Sequence, residues 1–150
     1  MPTYATNKKA RFEYEILDTF EAGLVLTGQE VKSVRAGRAN LKGAFVTFHN
    51  DTALLTNMHV PKYKYAGSLV DYSPDQSRKL LLKKREIAYL RGKSQEKGLT
   101  IIPLSLYTKG RRIKVEVGVA KGKKLHDKRR SIKKRELDRE ARRALKGELE

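Results

Sequence analysis

An antiparallel β fold with inserted helices, followed by a basic extension of different character, is the fold class this sequence predicts. Three observations carry that expectation. Apolar and polar residues alternate in several stretches, most clearly at Ile113, Val115, Val117 and Val119 interleaved with Lys114, Glu116 and Gly118, and a period of two is that of a half-buried strand. Turn-forming residues punctuate these stretches at short intervals. The composition then changes near residue 120: the 7 tyrosines and 4 phenylalanines all lie at or before Tyr107, and few aliphatics follow Lys121. A length of 150 residues suits one domain, so residues 1–120 are expected to fold and residues 121–150 to form a separate basic tail.

The elements follow in order. Residues 1–11 are polar and basic (Asn7, Lys8, Lys9, Arg11) and are expected to be a flexible arm. Phe12, Tyr14, Ile16 and Phe20 mark a first strand, Glu21-Ala22-Gly23 interrupts it, and residues 24–27 resume as a second. Val31 and Val34 lie three apart, and Gly37 is placed to close a short helix over 29–36. Residues 44–49 and 52–60 flank Asn50-Asp51 as a hairpin. A long irregular loop, 61–76, holds Tyr63 and Tyr65. Residues 78–92 are expected to be helical, with Ser77 as the cap and Leu80, Ile87 and Leu90 near one face. Gly98 opens a second hairpin, 99–107 and 111–120, around Thr108-Lys109-Gly110. Six short antiparallel strands with a helix between the fourth and fifth predict a small barrel of the OB-fold kind, closed to remove its edges.

The tail has only weak helical spacing at Ile132, Leu137, Ala141, Leu145 and Leu149. Asp138 and Arg142 form a favourable pair, whereas Arg135–Arg139 and Arg139–Arg143 oppose it. With so little apolar surface, the free tail is expected to be disordered and to become helical once a polyanion neutralises it.

Charge narrows the partner. The chain carries 34 Lys and Arg against 17 Asp and Glu, a net +17. The first 120 residues hold 21 basic and 11 acidic groups, and the last 30 hold 13 and 6. Both parts are basic, which points to a polyanion and to nucleic acid before an anionic membrane. No run approaches the roughly 18 apolar residues of a membrane span, and the N-terminus lacks an apolar leader, so a soluble, cytoplasmic protein is expected.

Catalytic chemistry finds no residues to carry it. Cysteine is absent, which excludes disulfides, a thiolate nucleophile and Cys-ligated zinc. His49, His59 and His126 have no ligand spacing and are expected to be surface or structural residues. Glu13 and Glu15 would share a solvated strand face. Gly118 to Lys124 imitates a phosphate loop, but has one residue too few between its glycines and no hydroxyl after the lysine. No enzyme activity, metal or cofactor is therefore expected. Binding chemistry remains: Lys and Arg attract phosphates with an affinity that falls steeply with salt. Tyr63 and Tyr65 either stack on unpaired bases or cap the barrel. Glu21 is either a solvated turn residue or, within a basic face, an acceptor for base amino groups. On composition alone, a ribosomal or other structural RNA-binding protein with a basic extension fits as well.

Several blocks taken together are more specific. They are Asn7-Lys-Lys-Ala-Arg11, Phe20-Glu-Ala-Gly23, Leu26-Thr-Gly-Gln-Glu-Val-Lys-Ser-Val-Arg35, Arg78-Lys-Leu-Leu-Leu82, Pro103-Leu-Ser-Leu-Tyr107 and Val119-Ala-Lys-Gly-Lys-Lys-Leu-His-Asp-Lys-Arg129. In this order they closely resemble the small protein B (SmpB) family, the SsrA-binding partners of transfer-messenger RNA, over nearly the whole chain. The resemblance implies an OB-fold barrel that binds the tRNA-like domain of that RNA and brings it to stalled ribosomes for trans-translation. It implies passage through alanyl-tRNA synthetase and elongation factor Tu as part of the RNA complex, action as a monomer, and no catalysis by the protein. On the family pattern Asn7, Glu21 and Leu81 lie on the RNA face with Lys8, Lys9 and Arg11, while Lys32, Arg35, Lys79 and Lys124 meet phosphates. Gly122, Lys123 and Lys124, with His126, Asp127, Lys128 and Arg129, are implied to act in the decoding centre and the empty message channel. Phe12 stands where some members carry His. Leu81 keeps a second reading, as a core residue of a leucine run.

Overall fold

In the computed structural model, residues 2–64, 72–123, 135–137 and 139–140 are described. Before the tail, the described residues form seven strands and three helices in the order β1 (Thr3–Thr6), α1 (Lys8–Glu13), β2 (Tyr14–Leu24), α2 (Gly28–Arg35), β3 (Phe45–His49), β4 (Thr52–Thr56), β5 (Arg78–Leu81), α3 (Lys84–Ser94), β6 (Leu99–Lys109) and β7 (Arg112–Gly122). All strand pairs are antiparallel, in the order β1-β6-β7-β2-β5-β4-β3. The mainly antiparallel β class is as expected and fits an OB-like barrel. The strand number and the closure are not: among the described residues there are seven strands rather than six, and no hydrogen-bonded ladder joins β3 to β1. The sheet curls far enough to bring β3 against β6.

The N-terminal residues are not a flexible arm. Thr3, Ala5 and Thr6 pair with Tyr107, Leu106 and Ser105, and Asn7 then turns the chain by donating its backbone N–H to the Leu104 carbonyl at 2.8 Å. The helix α1 that follows contains Phe12, expected in a strand, and seats Ala10 in a small apolar cluster with Ile102, Leu104 and Ala120. Glu13 ends this helix, so it does not share a strand face with Glu15.

Glu21-Ala22-Gly23 does not interrupt the next strand, and residues 24–27 do not form another. β2 runs for 11 residues because β7 pairs with it from Tyr14 to Gly23, and β5 takes its far end through Gly23↔Leu81 and Leu24↔Leu80. Two ladders outweigh the glycine's poor intrinsic strand preference. α2 matches its expectation. Thr27 and Glu30 form a reciprocal capping box, and Gly37 adopts the left-handed φ of 76° that ends many helices.

The hairpins β3–β4 and β6–β7 form as expected, turning at Asn50 (φ 56°) and Gly110 (φ 64°). The expected helix over 78–92 is corrected at its start: residues 78–81 are strand β5, and α3 begins at Lys84 with Lys83, not Ser77, as its cap. Burial gives the reason. Arg78 and Leu80 point inward while Lys79 and Leu81 are exposed, so the leucine run alternates and sheet pairing decides its state.

The main core is formed by inward residues of the strands, among them Ala22, Leu55, Leu80, Ile101, Leu106, Val115, Val117 and Val119, closed by Val34 of α2 and Leu90 of α3. β7 continues two residues beyond the expected boundary at 120, with Lys121 paired to Glu15 and Leu99. Of the later tail, 135–137 and 139–140 are helical. Lys124, His126, Asp127, Lys128 and Arg129 lie outside the described residues, as does Tyr65.

Candidate nucleic-acid interface

Four neighbouring strands, β6, β7, β2 and β5, send alternate side chains to the outer surface of the sheet, and register sets them in rows. One row crosses Tyr107, Lys114, Gly23 and Leu81; the next crosses Ser105, Glu116 and Glu21. Bulges in β2 (Ile16/Asp18) and β6 (Pro103/Ser105) change the face exposed beyond these rows, and there α1 covers Ile16, Ile102 and Leu104. The rows themselves remain open.

Gly23 sets the shape of this surface. A Cβ there would stand 3.1 Å from the Leu81 Cβ and 3.3 Å from its Cδ1, so the absent side chain is what allows Leu81 to lie across the strand. Leu81 is 53 % exposed. It is a surface residue, and Leu80 is the core member of the pair. Together Glu21, Gly23, Lys79, Leu81, Lys83 and Lys114 line a groove of about 520 Å³. A second groove of about 430 Å³ shares Gly23, Leu81 and Lys114 and continues to Arg111 and Arg112. Cations therefore flank a strip of aliphatic side chains and bare backbone.

Glu21 is acidic, as are Asp51 and Glu86 in the same groove, and it is exposed at mid-strand rather than in a turn. Tyr107 donates its hydroxyl to Oε2 at 2.5 Å, and Lys109 approaches Oε1 at 3.3 Å. The tyrosine's hydrogen bond, reinforced by Lys109 and Lys114, holds the carboxyl below its ordinary pKa, so Glu21 is an ionised acceptor at neutral pH. Burial and the neighbouring Glu21 push the Tyr107 hydroxyl up, which keeps it a donor. Glu116 lies directly across from Glu21, an unfavourable like-charge pair, with the Arg11 guanidinium 3.9 Å from its carboxylate.

The expected binding residues do not all gather here. Glu21, Lys79 and Leu81 do. Lys32 and Arg35 sit on exposed faces of α2 beyond the far end of β2. The Lys32 ammonium lies 5.7 Å from the centre of the Tyr63 ring, and Arg35 donates to the Arg111 carbonyl at 3.2 Å, which ties α2 to the second groove. Lys8, Lys9 and Arg11 are exposed on α1 at the opposite end of β2. Asn7 has a structural task, its side-chain amide donating to the Pro103 carbonyl at 3.0 Å. Gly122 is the last residue of β7, and the backbone N–H of Lys123 donates to the Glu13 carbonyl at 3.0 Å. Phe12 lies beneath the Arg135 guanidinium at 4.9 Å.

Lys114 was missed by the sequence reading, although the alternation of β7 already places it on the polar face; what the pattern lacks is that Gly23 and Leu81 lie beside it. The buried Glu30–Arg78 pair was missed as well. Arg78 donates Nε to Glu30 Oε2 at 2.7 Å and Nη2 to the Pro74 carbonyl at 2.9 Å, and Tyr72 and Gln76 also reach Oε2. Burial pushes Glu30 up, but the Thr27 N–H and the Arg78 guanidinium outweigh it and hold the carboxyl below its ordinary value. This pair joins α2, which carries Lys32 and Arg35, to β5, which carries Lys79 and Leu81.

Among the described residues no group of three or more His, Cys, Asp or Glu is placed to hold a metal. His49 is exposed on β3, and His59 meets Asp75 at 2.8 Å. The segment that imitates a phosphate loop is strand through Gly122. No described helix is long and apolar enough to cross a membrane.

Comparison with known proteins points to one family. The family model described as SmpB protein matches residues 4–147. The chain is 54 % identical over 140 residues to the SsrA-binding protein of Acaryochloris marina, covering 93 % of this chain and 91 % of the relative. It is 51 % identical over 141 residues to that of Oleidesulfovibrio alaskensis, covering 94 % and 90 %. A solved structure described as "tmRNA-SmpB: a journey to the center of the bacterial ribosome" is similar with a TM-score of 0.69 and 44 % identity, over 83 % of this chain and 87 % of the other.

Proposed function

The chain belongs to the SmpB family, and from that premise we propose that it binds transfer-messenger RNA and serves trans-translation on stalled ribosomes. The observation that carries the reading is the open outer face of β6, β7, β2 and β5, where Lys79, Lys83 and Lys114 surround Leu81, Gly23 and the ionised Glu21 carboxylate, with Asp51 and Glu86 also lining the groove. Phosphates meet the cations and supply a salt-sensitive share of affinity. Leu81 and the bare backbone at Gly23 take the flat face of an unstacked base, and Glu21 accepts from its amino group, as single-stranded loops of RNA are generally read.

The finer assignments rest on the family and on this layout. The ligand is the tRNA-like domain, gripped by the sheet face, with Lys32 and Arg35 of α2 and Lys8, Lys9 and Arg11 of α1 as phosphate contacts at its two ends. Residues 1–120 select the RNA. Residues 121–150, from Gly122 through Lys124 to His126, Asp127, Lys128 and Arg129, enter the decoding centre and the empty message channel, where rRNA neutralises their charge and stabilises the tail as a helix. The protein acts as a monomeric cytoplasmic binding partner rather than an enzyme, and meets alanyl-tRNA synthetase and elongation factor Tu through the RNA complex.

Affinity capture of the full-length chain followed by sequencing of the bound RNA tests this directly. Enrichment of transfer-messenger RNA over ribosomal RNA is the expected result. Ribosomal RNA alone would establish a structural ribosomal protein instead.

A further inference from the structure

Glu21 is exposed and stands across from Glu116, so electrostatics alone would turn its carboxylate away from its neighbour and leave its direction undefined. The structure supplies what prevents this. Tyr107 comes from β6, the strand beyond β7, and reaches across β7 to donate its hydroxyl to Glu21 Oε2 at 2.5 Å. Its own position is secured at the next residue, where Thr108 donates its hydroxyl to the Tyr4 hydroxyl at 2.7 Å and its N–H to the Pro2 carbonyl at 3.1 Å. Resting on the reading of this face as the RNA surface, we infer that Tyr107 is a positioning residue for base recognition: its hydroxyl aims the Glu21 carboxylate at the amino group of an unpaired base.

The donor's chemistry suits that task. A tyrosine has two side-chain torsions and a planar ring, so it fixes a partner at low entropic cost. The Lys109 side chain that reaches the other oxygen is 59 % exposed, and an exposed ion pair contributes little to geometry. A phenol hydroxyl also orients the carboxylate without neutralising it, so the negative charge stays available to a donor from RNA. The ligand class follows from the surroundings. Thr3, Glu21, Ser105, Tyr107 and Glu116 border a shallow pocket of about 410 Å³, and two carboxylates repel phosphate. A base edge bearing an amino group, from adenine, cytosine or guanine, matches acceptors and hydroxyls together.

The test measures binding of the full-length chain to the isolated tRNA-like domain across a salt series, for Tyr107→Phe, Glu21→Gln, the double variant and Lys79→Ala, with thermal unfolding of each. Tyr107→Phe and Glu21→Gln are each expected to weaken binding by about tenfold, the scale of one hydrogen bond to a charged group. The double variant should be no weaker than the worse single one, because the two act as a unit. Tyr107→Phe should leave the salt slope unchanged, whereas Lys79→Ala, at a cation of the face, lowers it by about one phosphate's worth. NMR titration of the Glu21 carboxyl carbon should move toward the ordinary value in Tyr107→Phe, which general loosening of the fold would not single out. Normal binding by Tyr107→Phe beside a weakened Glu21→Gln overturns the positioning role alone. Normal binding by both overturns the placement of Glu21 on the RNA. Additive losses, or a reduced salt slope in Tyr107→Phe, overturn the mechanism in favour of separate contacts.

Discussion

Arg78→Met removes one half of the buried ion pair that joins α2 to β5, and the structure sets the scale of the loss. Both partners are almost fully buried, Arg78 at 3 % and Glu30 at 1 % exposure. The substitution strips Glu30 Oε2 of its guanidinium and leaves the carbonyls of Met58 and Pro74 without that donor. Breaking a buried pair from one side costs about 3–5 kcal/mol. Glu30 retains the Thr27 N–H, the Tyr72 hydroxyl and the Gln76 amide, which places the loss near the lower end, at about 3 kcal/mol. That is a large share of the ~5–15 kcal/mol typical of a domain. The pH dependence has a definite sign. Glu30 has a lowered pKa in the fold, so in the native chain its contribution is present above the unfolded carboxylate range and is lost as pH falls through the folded value. In Arg78→Met desolvation is no longer opposed by the guanidinium, and protonation relieves the variant. The gap between the two proteins should therefore be widest at about pH 7 and narrower at about pH 4. Urea unfolding followed by circular dichroism at both pH values measures it. A loss under about 1 kcal/mol at neutral pH, or a gap that widens on acidification, would refute the reasoning.

Leu81→Ala separates binding from stability: an exposed leucine costs under about 0.5 kcal/mol to truncate, while affinity for the tRNA-like domain in a filter-binding assay should fall severalfold. Gly118→Ala works the other way, because its Cβ would stand 3.0 Å from Leu104 Cδ1, 3.2 Å from Ile16 Cγ2 and 3.4 Å from the Asp18 carbonyl; overpacking there should lower stability by about 1–3 kcal/mol, seen as a lower urea midpoint with near-normal RNA affinity in the folded fraction. Truncation after Lys123 leaves β7 and its last hydrogen bond intact, so affinity for the RNA domain should persist while tagging on stalled ribosomes is abolished in a reconstituted translation assay. A large loss of RNA affinity on truncation would contradict the division between sheet and tail.

What the residues alone determined is considerable. The period of β7 identifies it as a strand and places Val115, Val117 and Val119 on its apolar face, because alternation is a local consequence of pleating. Thr27, Glu30 and Gly37 delimit α2, since capping is chemistry within one turn. The charge balance selects a polyanion, and six ordered blocks indicate the family. Tertiary structure decided the rest, wherever local preference was ambiguous. Arg78-Lys-Leu-Leu-Leu82 suits a helix and becomes a strand because β2 and β4 flank it. Glu21-Ala22-Gly23 reads as a break and becomes mid-strand between β7 and β5. Residues 3–6 read as an arm and become an edge strand on β6. The candidate site is non-local for the same reason. Glu21, Leu81, Tyr107 and Lys114 come from four separate strands, and only the register of the sheet makes them neighbours, as it alone turns a tyrosine at 107 into the donor for a carboxylate at 21.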